Sequence, residues 1–242
     1  RVSVSKNEGE VELALLEHCI RDNLNYSAER RLAVLKPLKV VIENFPEGKT
    51  EWLSALNNPN SDKQEQRKIP FSKEIWIEQD DFMEEPSKKF FRLAPGKEVR
   101  LRYAFFVTCN AVIKDEGGEI VELRCSYDPE TRGGNAPDGR KVKGTIHWVS
   151  AEHAKDAEVR IYNSFYNTPS PGRDRDFTED ININSLEVLE NCKIEPDLIA
   201  LDDNVPIQFE RLGYFYKDPD TTPKKPIYNR TISLRDTWNK KP

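Results

Sequence analysis

Methionine occurs once, histidine three times and cysteine four times among the 242 residues. With histidines only at 18, 147 and 153, general bases are few, and no Gly-x-Ser-x-Gly elbow offers a nucleophile. The cysteines, at 19, 109, 125 and 192, are 90, 16 and 67 residues apart. That is neither the paired spacing of a zinc site nor the density of a small secreted scaffold, so they read as reduced, buried thiols of a cytoplasmic protein. No apolar run approaches the ~20 residues that span a bilayer. The longest aromatic-aliphatic stretch, Tyr103 to Val107, is bounded by Arg102 and Thr108, so no membrane partner is expected. The first residues, Arg1 to Lys6, lack both an initiating Met and the apolar core of a signal peptide, and read as part of a longer polypeptide.

At 37% hydrophobic and 33% charged, the chain can bury a core of its own. Lys and Arg total 37 against 42 Asp and Glu, a net charge of −5. The sum argues weakly against nucleic acid; the distribution of charge matters more.

From Val11 to Leu24 the apolar residues Val11, Leu15, Leu16, Cys19, Ile20 and Leu24 recur at the spacing of an amphipathic helix. After Arg31 the pattern becomes short, β-branched or alternating, as in Leu38 to Ile42, Glu74 to Glu78 and Glu98 to Arg102. Phe105 to Lys114 and Ile120 to Tyr127 flank Asp115-Glu116-Gly117-Gly118-Glu119, which predicts a long hairpin. Further strands are expected at Val142 to Val149, Ala157 to Tyr162, Leu186 to Ile194, Ile207 to Phe209, Tyr214 to Lys217 and Thr231 to Leu234. Short strands punctuated by 16 prolines favour barrels or sandwiches over a parallel sheet with helices. The expectation is a mainly β chain: a helical segment over 1–30 and antiparallel β-barrels over 31–130 and 131–242, with strands crossing between them.

Most candidate chemistry fails. Adjacent acids, Asp80-Asp81, Glu84-Glu85 and Asp202-Asp203, read as solvated turns, because neighbours on a strand point to opposite faces. Gly133-Gly134 lacks the Lys-Ser/Thr of a phosphate loop. His147 falls with Thr145 and Val149 on one strand face and reads first as a structural histidine, next as a nucleic-acid contact and last as a metal ligand. What stands out is a basic cluster interleaved with aromatics: Lys88, Lys89, Phe90, Phe91, Arg92, Lys97, Arg100 and Arg102, against only Glu98. Alternation turns Val99 and Leu101 inward and Arg100 and Arg102 outward, where guanidinium groups bond phosphates or stack on bases. Arg140-Lys141-Val142-Lys143 is a second basic segment. A solvated face whose arginines pair with acids weighs equally with RNA recognition on composition alone.

The stretches Lys36 to Asn44, Ile69 to Glu78, Gly96 to Arg102, Asp138 to Ser150, Gln208 to Phe215 and Asn229 to Trp238 strongly resemble the C-terminal part of the bacterial glutaminyl-tRNA synthetase family, in the glutaminyl/glutamyl branch of class I. The resemblance covers essentially the whole chain and implies a remnant of the helical connector followed by two β-barrels that hold the anticodon loop. In that family the catalytic domain lies upstream, with His-Ile-Gly-His-type and Lys-Met-Ser-Lys-Ser-type signatures. Here no two histidines are three apart, and the one methionine, Met83, stands between Phe82 and Glu84. The implied reading is a non-enzymatic region without cofactor or metal of its own. Its cytoplasmic, monomeric parent would use ATP and Mg²⁺ in the missing catalytic domain to attach glutamine to tRNA(Gln).

By local motif, the resemblance carries anticodon contacts onto Arg30, Arg92, Arg100, Arg102, Gln208, Arg211 and Thr237, and more weakly onto Asn25 and Asn60. Arg92 would meet a guanine at the third anticodon base, Arg100 and Arg102 the first base and its phosphate, and Gln208 the middle uracil, which an amide can both donate to and accept from. Phe91 occupies a place where relatives can hold a basic residue, so no phosphate contact is carried onto it. Lys6 resembles a position near the inside of the tRNA elbow. The alternatives are the same region of a glutamyl-tRNA synthetase, a β-barrel RNA-binding module of another kind, or a stand-alone β-sandwich or carbohydrate-active enzyme, for which paired carboxylates are wanting.

Overall fold

The computed structural model describes residues 13–236, so Lys6 and Thr237 lie outside the described residues. Helix α1, Leu13–Ser27, runs past the expected end at Leu24. Its Ile20 and Leu24 pack on Ala28, Tyr214 and Ile232. Arg21, buried on the same helix, donates from Nε to the Ser233 carbonyl (2.9 Å), tying the helix to the far end of the chain.

Sixteen strands follow among the described residues. They are β1 (Glu29–Arg31), β2 (Ala33–Val34), β3 (Pro37–Ile42), β4 (Glu51–Leu56), β5 (Gln66–Phe71), β6 (Glu74–Glu78), β7 (Glu98–Leu101) and β8 (Phe106–Lys114). The remainder are β9 (Ile120–Asp128), β10 (Thr145–Ile146), β11 (Val149–Ser150), β12 (Lys155–Tyr162), β13 (Leu186–Ile194), β14 (Ile207–Phe209), β15 (Gly213–Lys217) and β16 (Ile227–Ser233). They build two barrel-like seven-stranded sheets, ordered β10-β7-β8-β9-β3-β6-β11 and β1-β14-β15-β16-β12-β13-β2, with β4-β5 as a separate hairpin. Neighbours are mostly antiparallel, but β1 with β14, β3 with β9, β7 with β10 and β12 with β16 run parallel. Residues 29–34 therefore pair into the second sheet before the chain enters the first, and residues 145–150 return to the first.

Each barrel closes on aromatic packing. In the first, Phe71 meets Phe45, Phe105 and Trp148 with ring centroids 5.1, 5.2 and 5.0 Å away. In the second, Phe209 stacks on Phe215 at 4.3 Å and meets Tyr228 edge-on at 5.5 Å. Edge-to-face and offset contacts of this kind add to the area such rings bury. Strand β7 keeps its alternation, with Val99 and Leu101 buried.

The stretch from Val142 to Val149 does not form one strand. It breaks into β10 and β11 around His147 and Trp148, and Ile146, His147, Trp148 and Val149 are all buried in succession. Trp148 turns inward and donates from Nε1 to the Arg102 carbonyl (2.9 Å), while His147 faces the second barrel, so both sides of this segment are covered.

Two ion-paired carboxylates, the buried Glu158 and the half-buried Asp128, contribute to the acid response. Lys225 and then Arg160 hold the Glu158 carboxyl below its ordinary range, and Arg140 does the same for Asp128. A lowered folded-state pKa means the stability is complete above the ordinary carboxylate range of about 4 and is lost as pH falls through the lowered values. Urea midpoints are expected to stay level from pH 6 to 5 and to drop steadily below about pH 4. A midpoint unchanged down to pH 3 would show that these pairs contribute nothing.

Candidate nucleic-acid interface

The junction of the two barrels gathers basic side chains around buried acids. After β6 a single turn at Gln79–Asp81 rotates Asp81 inward, leaving it 1% exposed. Its backbone carbonyl accepts from Leu93 N (3.0 Å), and Leu93, wholly buried, anchors the neighbouring Arg92. Arg92 donates from Nη1 to the Asp80 carbonyl (2.8 Å) and pairs through Nε with Asp81 Oδ1 at 3.3 Å. From the other barrel, Arg211 sits at the tip between β14 and β15 with φ +69° and forks onto both Asp81 carboxylate oxygens, Nη2 to Oδ1 at 2.7 Å.

Arg211 Nη1 also lies 2.9 Å from His147 Nδ1. Guanidinium only donates, so Nδ1 accepts and the neutral ring carries its proton on Nε2. That atom is buried without a hydrogen-bond partner and 3.5 Å from Glu78 Oε1. Glu78 is itself occupied by the backbone N–H groups of Leu35 (2.6 Å) and Lys36 (3.0 Å). Asp81, Arg92, His147, Arg211 and Leu212 line an open cavity of about 130 Å³.

A second arrangement lies beside it. Arg102 lies over the Tyr103 ring at 4.7 Å and pairs through Nε with Glu210 Oε2 at 2.7 Å; the Tyr103 hydroxyl donates to the other Glu210 oxygen. Burial, and then the Glu210 charge, push the Tyr103 hydroxyl up to about 12, so it stays protonated and donating. Burial works against the Arg102 charge, and Glu210 and Tyr103 together more than offset it, raising the guanidinium above its ordinary value. Arg100 differs, pairing with no acid among the described residues. It lies 5.4 Å over the Phe106 ring with Nε buried and unpartnered. Gly134, at φ +90°, leaves room for it: a Cβ there would stand 2.9 Å from Arg100 Cδ. Arg140 shares the Phe106 ring at 5.4 Å but is pinned by Glu98, Asp128 and Asp138.

The third group sits where helix α1 hands over to β1. Arg30 pairs in register with Gln208 of β14. Arg30 Nη2 donates to Asn25 Oδ1 (3.0 Å), and Asn60 Nδ2 donates to the same oxygen (3.1 Å). Arg30 Nη1 is buried without a partner, and the Gln208 amide has none among the described residues. Alternation sets Gln208 and Glu210 on one side of β14, opposite the core residues Ile207 and Phe209.

The expected residues thus fall into an Arg92–Arg211 pair, an Arg102 site with Arg100 two residues before it, and an Arg30–Gln208–Asn25–Asn60 group. Phe91, half exposed, receives Lys143 Nζ at 5.0 Å, which makes a cation-aromatic contact at the place without a basic residue. The reading of Asp80-Asp81 as a solvated turn needs correction. Asp80 is exposed but Asp81 is buried, because two arginines distant in sequence cover it. Glu84-Glu85 and Asp202-Asp203 are exposed as expected. Glu210 and Tyr103 are partners that local sequence did not single out, and Asp81 and His147 are ones it noted without pairing them with the arginines. Among the described residues no group of three or more His, Cys, Asp or Glu side chains could hold a metal ion.

Residues 28–128 match the family of tRNA synthetases class I (E and Q), anti-codon binding domain, and residues 145–218 match a second model of the same description. The chain belongs to the anticodon-binding domains of the class I E and Q tRNA synthetases. It is 58% identical over 240 residues to the glutamine-tRNA ligase of Bradyrhizobium diazoefficiens, 53% over 240 to that of Nitrobacter winogradskyi, and 50% over 239 to that of Aliivibrio fischeri. These alignments take in 98 to 99% of this chain and 43% of each relative, so the chain spans less than half their length.

Proposed function

We propose that this chain grips the anticodon loop of tRNA(Gln). The observation that carries the reading is the convergence of Arg92, Arg102 and Arg211, from both barrels, on Asp81 and Glu210 at a solvent-open junction, with Arg100 free of any acid partner among the described residues. Arg92, its side chain 44% exposed, offers its outer N–H groups to guanine O6 and N7 at the third anticodon position. Arg100 and Arg102 hold the first base and its phosphate. The unpartnered Gln208 amide, on the strand position in register with Arg30, reads the middle uracil. Asn25 and Asn60 shape the Arg30 side of that site. The boundaries we favour are a connector segment over 1–30 and barrels over 31–130 and 131–242, with strands crossing between them at residues 29–34 and 145–150.

The parent protein would be a cytoplasmic, monomeric class I synthetase that uses ATP and Mg²⁺ outside this chain to join glutamine to tRNA, leaving recognition and induced fit to the barrels. The acids of the present site are occupied by arginines, so no chemical step is routed through them.

The test is fluorescence-anisotropy titration of anticodon stem-loops with G or C at the third anticodon base, across a salt series. G is expected to bind tighter, with affinity falling as salt rises; preference for C would move the chain to the glutamate branch. Arg92→Ala is expected to weaken the G loop by about 1–3 kcal/mol, the range for one bidentate base contact. Equal losses for G and C would leave Arg92 a phosphate ligand only.

A further inference from the structure

Among the described residues Asp81 is the one carboxylate that binds guanidinium groups from both barrels, and it does so from an almost fully buried position. A buried carboxylate is costly unless well paired. A purely structural pair would bury its arginines as well, as Arg67 and Glu195 do, with side chains 6% and 3% exposed. Here the carboxylate is 2% exposed while the Arg92 and Arg211 side chains remain 44% and 29% exposed. The acid thus takes both terminal nitrogens of Arg211 and the Nε of Arg92, while both arginines, still partly exposed, line the cavity. Arg211 holds a left-handed backbone, φ +69°, to reach it. A non-glycine residue there carries a local strain that its surroundings must sustain. His147 Nδ1 and the Asp80 carbonyl complete the fixing of the two arginines.

We propose that Asp81 is a positioning residue for base recognition: it sets the orientation of Arg92 and Arg211 together, so that discrimination at the third anticodon base depends on both barrels. This rests on the anticodon reading above. Fixed donors discriminate better than mobile ones, because a held fork matches one base edge and loses affinity for the other. A neutral amide at position 81 cannot hold two cations side by side, so the arginines would repel each other and turn toward phosphate.

The experiment compares Asp81→Asn with the unsubstituted chain in the same stem-loop titrations, after thermal melting of both. At least a tenfold fall in the G-over-C affinity ratio is expected, with little loss of affinity for a scrambled loop and an undiminished salt dependence. In an Arg92→Ala background the same substitution is expected to change the ratio far less, because the group it orients is gone. A preserved ratio, or an equal loss for G, C and scrambled loops, would overturn the positioning role. If the unsubstituted chain shows no preference, the anticodon reading itself fails and this inference falls with it; a preference retained by Asp81→Asn removes this inference alone. If Asp81→Asn does not fold, Arg211→Lys decides, since it keeps the charge but cannot fork onto both oxygens. It too is expected to lower the ratio while keeping scrambled-loop affinity, and an unchanged ratio refutes the role.

Discussion

Replacing Glu195 with Ala is expected to lower unfolding stability by about 3–5 kcal/mol, the range for removing one partner of a buried ion pair. Arg67, on β5 of the hairpin attached to the first barrel, donates from Nε to Glu195 Oε2 (2.7 Å) and from Nη2 to Oε1 (2.6 Å). Its remaining nitrogen bonds the Leu56 carbonyl at 3.0 Å, and Glu195 also accepts the Leu32 backbone N–H. One carboxylate thus joins the β4-β5 hairpin, the link between β1 and β2, and the end of β13. Removing it leaves a buried guanidinium with one neutral acceptor and the Leu32 N–H without one. The double change Arg67→Met/Glu195→Leu takes away both charges and is expected to recover most of the loss, because the penalty lies in the orphaned charge more than in the lost attraction. Urea unfolding followed by circular dichroism measures all three variants. A loss below about 1 kcal/mol for Glu195→Ala would place this pair among ordinary surface contacts.

The same geometry explains what could be read from sequence. Alternation located β7, because it buries Val99 and Leu101 and turns Glu98 and Arg100 the other way, and the turn formers Asp115 to Glu119 located the long hairpin of β8 and β9. Alternation failed where burial is two-sided or polar. Strands β1 and β5 carry the buried arginines Arg31 and Arg67, and β5 contains Pro70 opposite Trp52, so neither resembles an apolar run. Strand β4 alternates only Leu53 and Ala55 as buried apolar residues, too short a pattern to stand out. His147 and Trp148 are buried in succession because a barrel covers each side.

The site divides in the same way. Arg100 and Arg102 could be placed on one outward face from local spacing. The pairing of Asp81 with Arg211 spans 130 residues and of Tyr103 with Glu210 spans 107, distances at which no local pattern operates. The basic cluster, weighed between an acid-paired face and an RNA-binding one, proves mixed in its pairing: Arg102 and Arg140 engage acids, while Arg100 rests on an aromatic ring.

Gly144→Ala is expected to separate the recognition segment from its support. Gly144 has an ordinary backbone conformation, so its requirement is one of space: a Cβ would stand 2.1 Å from the Phe91 carbonyl oxygen and 3.3 Å from Val99 Cγ1. The first neighbour is backbone and cannot rotate away. The Gly144 carbonyl also accepts the Arg100 N–H at 2.9 Å, so its strand cannot retreat without breaking β10 from β7. The segment carrying Phe91 must yield instead, and Arg92 moves with it, away from the Asp80 carbonyl and Asp81. Overpacking a tight site costs up to about 3 kcal/mol, and the backbone contact puts this one at the upper end. The loss should appear both as a lower urea midpoint and as a reduced G-over-C ratio in stem-loop binding, whereas Arg92→Ala should reduce the ratio with little change in midpoint. An alanine at 144 that leaves both quantities intact would mean that the 91–92 segment is free to shift without consequence, and that Arg92 reads its base from more than one position.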